Sequence, residues 1–186
     1  AFTCNDKLIG AYVFLQTHMD IAPMGEEDFC DAATLECSAR DSDGHGTHTA
    51  TTAAGSFVST TPIYGVDRGP ISGVAPGASV IAYRVCGTAG CYSSDSVAAV
   101  QQSILDGVDV INFSISGGVS AYTDPVELAF LDAFAAGVTV NASAGNDGPG
   151  AATANHASPW ITTVAASTSD RAFTSSLILA SSDGES

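Results

Sequence analysis

The sequence predicts an α/β fold built on a parallel sheet. Three observations carry this. From Ser79 onward, short apolar runs alternate with helix-length segments, in the order strand, helix, strand, helix, strand, strand. The connections are short, which suits right-handed crossovers between parallel strands. The strand runs are near-continuously apolar, as expected for strands buried on both faces.

Composition supports one domain with a real core. The chain has 186 residues, 45% of them apolar and 13% charged, which excludes a disordered chain. Twenty acids against five bases give a net charge of −15. That sign argues against nucleic acid or an anionic membrane as partner, and no apolar run approaches the ~18 residues of a membrane span. The chain opens on Ala1 with no leader-like pattern, so a processed or partial chain is expected.

Taken in order, Lys7 to Phe14 reads as a strand, rich in β-branched and aromatic residues. Residues 20–43 read as a long acidic surface loop. Asp20, Glu26, Glu27, Asp28, Asp31, Glu36, Asp41 and Asp43 face Arg40 alone there. The loop reads as a solvated acidic face. A calcium site is the competing possibility, because hard cations take carboxylate oxygens, but no fixed ligand spacing appears. No metal ligands and no cofactor are assigned. Asp41-Ser-Asp-Gly-His-Gly-Thr-His-Thr-Ala50 then turns the loop into a helix that runs to Gly55. His45 lies in its first turn and His48 one turn on, on nearly the same face. Gly44 and Gly46 are expected to let backbone pack closely around the ring of His45.

Ser79 to Val85 reads as a strand. Ser93 to Leu105 reads as a helix, started by Ser or Asp and followed by Gly107. Val108 to Ser114 is the next strand. Pro125 to Ala136 is a helix preceded by Asp124 and stopped by Gly137. Val138 to Ser143 and Ile161 to Ala166 complete the strands. Beyond Asp170 the chain turns Ser-rich (Ser175, Ser176, Ser181, Ser182) and reads as a linker or strand edge. Cys30 with Cys37, and Cys86 with Cys91, are spaced to close two small disulfide loops. Cys4 is left without a local mate, either paired outside the visible chain or free and buried. Two sequons, Asn112-Phe-Ser and Asn141-Ala-Ser, fall on strands expected to be buried and are read as accidental.

In an open α/β sheet, ligands bind beyond the carboxyl ends of the strands. Ser114 to Gly118 and Ser143 to Asn146 both fall there. Ser114 and Ser116 could pair through backbone with an extended peptide. Ser143, Ala144 and Gly145 are small enough to wall a side-chain pocket.

Gly44-His45-Gly46-Thr47-His48 resembles the catalytic-histidine motif of subtilisin-like serine proteases. Ser72-Gly73-Val74-Ala75-Pro76-Gly77-Ala78 resembles that family's turn into a sheet strand. Asn112-Phe113-Ser114-Ile115-Ser116-Gly117-Gly118 resembles its substrate-binding strand, and Ser143-Ala144-Gly145-Asn146-Asp147-Gly148-Pro149 its oxyanion-hole segment. The four occur in family order between Asp41 and Arg171. Val85-Cys86-Gly-Thr-Ala-Gly-Cys91 and Pro159 to Val164 look closer to the cucumisin-like branch, in which a cysteine placed like Cys4 looks as if it pairs upstream. The resemblance implies a three-layer subtilisin-like fold and a secreted serine endopeptidase acting on extended polypeptides. His45 would be the general base and Asn146 the oxyanion donor, with Ser114, Ile115, Ser116 and Gly117 along the substrate and Ser143, Ala144 and Gly145 beside it.

Two departures stand out. Ser116 replaces a glycine common in the family, which bears on the breadth of the groove. More important, neither the Asp-Ser/Thr-Gly turn of the orienting acid nor the Gly-Thr-Ser of the nucleophile occurs. Asp41 and Asp43 lie too close to His45, Asp183 lies at the wrong end, and Ser181, Ser182 and Ser186 lack the context. The chain is therefore expected to be the central part of one peptidase domain. Residues 1–43 would form a strand and a disulfide-clipped loop, 44–170 the βα core, and 171–186 an edge or linker. The missing N- and C-terminal parts of that domain would be its partners. The competing functions are an inactive segment that binds peptide, or one that self-associates by strand exchange.

Overall fold

A computed structural model describes residues 3–22, 25, 28–31, 33–34, 36–170, 172 and 174. The Ser-rich end, with Ser175, Ser176, Ser181, Ser182, Asp183 and Ser186, lies outside the described residues, as do Glu26 and Glu27 of the acidic loop. The elements run β1 (Leu8–Val13), α1 (Gln16–Ile21), α2 (His45–Ala54), β2 (Pro62–Ile63), β3 (Val66–Asp67), β4 (Val80–Arg84), β5 (Cys86–Gly87), β6 (Gly90–Cys91), α3 (Ser93–Leu105), β7 (Val110–Phe113), α4 (Pro125–Ala135), β8 (Thr139–Ser143) and β9 (Thr162–Val164).

The parallel pairing expected from the sequence is present, but in two separate sheets. One pairs β1 with β4, and the other runs β7-β8-β9. Two short antiparallel pairs, β2-β3 and β5-β6, lie outside them. The split changes the burial of the strands. β4 is half-buried throughout, and Val110 on β7 is 56% exposed. Burial on both faces therefore does not hold for β4 and β7. Asn112 is consequently exposed and Asn141 half-buried, so the premise that both sequons are buried fails.

The core sits where α3 and α4 pack on each other and α4 packs on β8. Phe130 and Ala133 are fully buried there with Val140, and the Phe113 ring meets Phe130 edge-on at 5.1 Å. Asp124 caps α4 by accepting from Val126 N at 2.8 Å and Glu127 N at 3.3 Å, with Pro125 following. α3 differs at its start: its N-cap is Tyr92, without a side-chain bond. Asp95, buried, accepts instead from the amides of Thr17 and His18, docking α1. Asp106 ties the end of α3 to the first sheet by accepting from Tyr83 at 2.6 Å and Tyr12 at 3.2 Å.

Both small disulfides form, Cys30–Cys37 and Cys86–Cys91. Cys4 is free and exposed, so the buried alternative does not hold. α1 has no counterpart in the sequence reading, and the acidic loop is not wholly a solvated face. Asp28 and His18 are both 0% exposed and meet at 3.2 Å. Burial pushes the Asp28 carboxyl up, but hydrogen bonds from Gly25 and Thr88 amides, the Thr88 hydroxyl and His18 outweigh it and hold it at about 2.

Candidate active site

The first part of the site is the start of α2. Its amides would be unsatisfied without caps. Asp41 takes two of them, at Gly44 and Thr47, and ties in the preceding turn as well. One carboxylate oxygen accepts from Asp43 N at 3.0 Å and Gly44 N at 2.8 Å. The other accepts from Thr47 N at 2.7 Å and the Thr47 hydroxyl at 2.6 Å. Asp43 accepts from His45 N at 3.2 Å. The Thr47 hydroxyl, with these amides, holds the Asp41 carboxyl far below the usual range. Gly44 adopts φ +95°, yet nothing crowds its α-carbon. Gly44 thus serves the turn, where a positive φ favours glycine.

The other end of α2 is held by the Ser72–Ala78 turn. Gly73, Val74 and Ala75 donate to the carbonyls of Gly55, Thr52 and Ala53 at 2.9, 3.0 and 2.8 Å. A side chain at Gly73 would overlap backbone of Ala54 and Gly55. Arg84, at the end of β4, reaches back to the carbonyls of Asp28 and Ser38 at 2.7 and 2.9 Å, tethering the loop that leads to His45. His45 and His48 are both exposed, and no described residue hydrogen-bonds the His45 ring.

The second part lies at the carboxyl ends of β7 and β8, which pair in parallel from Val110↔Thr139 to Phe113↔Ala142. This register puts Ser114–Gly118 beside Ser143–Gly145. Ser116 is exposed, with no backbone hydrogen bond among the described residues. Asn146 is exposed and follows Gly145, which has φ +76°. Asn155 bridges the two segments: its amide donates to Ala144 O at 3.0 Å and its side-chain oxygen accepts from Gly117 N at 2.9 Å. The structure thus brings Ser114, Ile115, Ser116 and Gly117 together with Ser143, Ala144 and Gly145. No hydrogen bond or ion pair among the described residues links His45 to Asn146 or to either strand end.

A buried polar group under this junction was not singled out from sequence. Glu127 and His156, 0% and 1% exposed, meet at 2.5 Å, and Ser158 donates to the other Glu127 oxygen. Trp160 Nε1 donates to the Glu127 carbonyl at 2.9 Å. A signal was present: Glu127 is the one charge in the apolar run Pro125-Val-Glu-Leu-Ala-Phe-Leu131. Among the described residues no three His, Cys, Asp or Glu side chains gather as a metal cage would need, and no helix is long and apolar enough to cross a membrane.

Known proteins resemble this chain in sequence and fold. The subtilase family profile matches residues 14–185. Subtilisin-like protease SBT1.4 of Arabidopsis thaliana is 43% identical over 181 residues, covering 96% of this chain and 23% of the relative. Subtilisin-like protease SBT1.3 of the same plant is 46% identical over 172 residues, covering 91% of this chain and 21% of the relative. Among solved structures, sphericase superposes with a TM-score of 0.54 at 28% identity, over 88% of this chain and 55% of that one. The chain therefore spans between a fifth and a quarter of the length of these plant relatives.

Proposed function

This chain belongs to the subtilase family, and on that premise we propose that it forms the central part of the catalytic domain of a secreted serine endopeptidase. The substrate is an extended polypeptide. It lies along Ser114–Gly117 as an added strand, with one side chain against Ser143, Ala144 and Gly145. His45 takes the proton of a serine nucleophile and returns it to the leaving amine. Asn146 donates to the oxyanion of the tetrahedral intermediate. The nucleophile and the acid that orients His45 come from parts of the domain outside these residues. Hydrolysis runs on protein groups alone. Secretion is supported by two disulfides, which persist in oxidising surroundings.

The observation that carries this reading is the exposed Ser116 beyond the carboxyl end of β7, its backbone without a hydrogen bond among the described residues, held beside the Ala144–Gly145 turn. The test is peptide hydrolysis by the protein in its natural full length. His45→Ala should lower kcat by more than ~10⁴-fold and Asn146→Ala by ~10²–10³-fold, scales themselves established on subtilisin variants. Unchanged turnover in His45→Ala refutes the assignment.

A further inference from the structure

We propose that Asn155 and His156 form a positioning element that sets the separation of the substrate strand from the oxyanion turn. The proposal rests on the peptidase function above and adds residues that its chemistry does not name. The two residues reach both walls at once. Asn155 holds Ala144 O through its amide and Gly117 N through its carboxamide oxygen. His156 holds Ile115 O through Nε2 at 2.8 Å, and its amide donates to Gly117 O and Gly118 O at 3.3 and 3.2 Å. Asn155 is 7% exposed and His156 1%, so water cannot take over these bonds.

Donor logic fixes the ring. Nε2 faces a carbonyl, which only accepts, so Nε2 carries hydrogen. Nδ1 faces Glu127, with one proton between them, and the second Glu127 oxygen is taken by Ser158. Glu127 sits in the first turn of α4, where the helix dipole favours a carboxylate. His156 adopts φ +51°, a left-handed conformation costly for a residue with a side chain, and these bonds hold it there. A side chain at Gly118 would strike both Glu127 and His156, so the strand closes directly onto the pair.

The consequence concerns direction. A trans peptide points its N–H and C=O to opposite sides. With Gly117 N turned inward to Asn155 and Ile115 O turned inward to His156, the carbonyl and amide of Ser116 are turned outward, the orientation a peptide strand needs. Loss of the Asn155 carboxamide frees that orientation without touching a reacting atom. The cost falls on substrate binding, which appears in KM.

The test uses the natural full-length protein and an extended chromogenic peptide, with kcat and KM measured separately. Asn155→Ala should raise KM about tenfold and leave kcat within about threefold. Asn155→Asp keeps the acceptor for Gly117 N–H, giving up only the long donation from the side-chain nitrogen to Thr153 O at 3.3 Å, and should return KM to within about threefold of wild type. Hydrogen exchange of segment 114–118 should quicken about tenfold in Asn155→Ala and remain near wild type in Asn155→Asp. If Asn155→Ala does not fold, Asn155→Ser, too short to reach Gly117, must show the same KM rise. An unchanged KM in the short variants, or an equal rise in Asn155→Asp, overturns the proposal. A wild-type protein that cleaves no peptide refutes the peptidase function instead, and the exchange measurement then still decides the positioning role.

Discussion

Removing the carboxylate of Asp41 should loosen the start of α2 and with it the placement of His45. Asp41 accepts four hydrogen bonds, from the amides of Asp43, Gly44 and Thr47 and from the Thr47 hydroxyl. Asp43 secures only His45 N, and no other described side chain caps this helix start. Loss of a helix cap costs about 0.5–2 kcal/mol. Because Asp41 serves both the turn and the helix, the upper part of that range applies, and ~1.4 kcal/mol corresponds to tenfold in local opening. Asp41→Ala should therefore quicken hydrogen exchange at Gly44 and Thr47 about tenfold. Amides deep in α4 should keep wild-type rates. Asp41→Asn retains one acceptor oxygen for Asp43 and Gly44 but cannot accept from Thr47, so roughly threefold is expected, confined to Thr47. Exchange read by mass spectrometry or NMR makes the comparison. If Thr47 exchanges no faster in Asp41→Ala, the cap does not hold the helix start and the positioning argument for His45 fails.

Three further outcomes follow from the packing. The Asp28 carboxyl is held at about 2 against an ordinary 3.8. Its stabilisation, on the order of 2 kcal/mol, is complete above about pH 4 and is lost as the pH falls through about 2. Urea midpoints of wild type and Asp28→Asn should therefore differ at pH 7 and converge at acid pH. Phe130 is 0% exposed at the centre of the α4–β8 core. Phe130→Ala should cost about 3–5 kcal/mol in urea unfolding. Gly118→Ala places a side chain at φ +64° against the Glu127–His156 pair. A loss of about 3 kcal/mol or more is expected in the same assay.

The local parts of this fold were legible in the sequence. The Ser93–Leu105 helix has the expected bounds, though Tyr92 and not Ser or Asp stands at its N-cap, and Asp124 caps α4 as its position before Pro125 implies. Apolar runs and caps are encoded within a few residues, so sequence suffices for them. The Ser114–Gly118 and Ser143–Gly145 segments do meet, because parallel register aligns the ends of neighbouring strands. Long-range polar pairs were not legible. Nothing in an acidic loop distinguishes Asp28 from Asp31, yet one is sealed against His18 and Thr88 and the other is exposed. Asp41 looked like loop charge and is a cap. Asn155 and His156 follow a Gly- and Ala-rich stretch with no periodicity, and only the folded chain sets them against Gly117 and Ile115. The division into two sheets was hidden for a related reason: strand runs do not state which edges find partners.

The central claim is that His45 and the strand ends serve one reacting carbonyl. Treatment of the full-length protein with a peptidyl chloromethyl ketone tests it most directly, because the peptide must occupy the groove to deliver its alkylating carbon. Peptide mapping should find His45 alkylated and His48 spared, with the label suppressed by excess peptide substrate. Label on His48 or His156, or none on a protein that cleaves the parent peptide, contradicts the account.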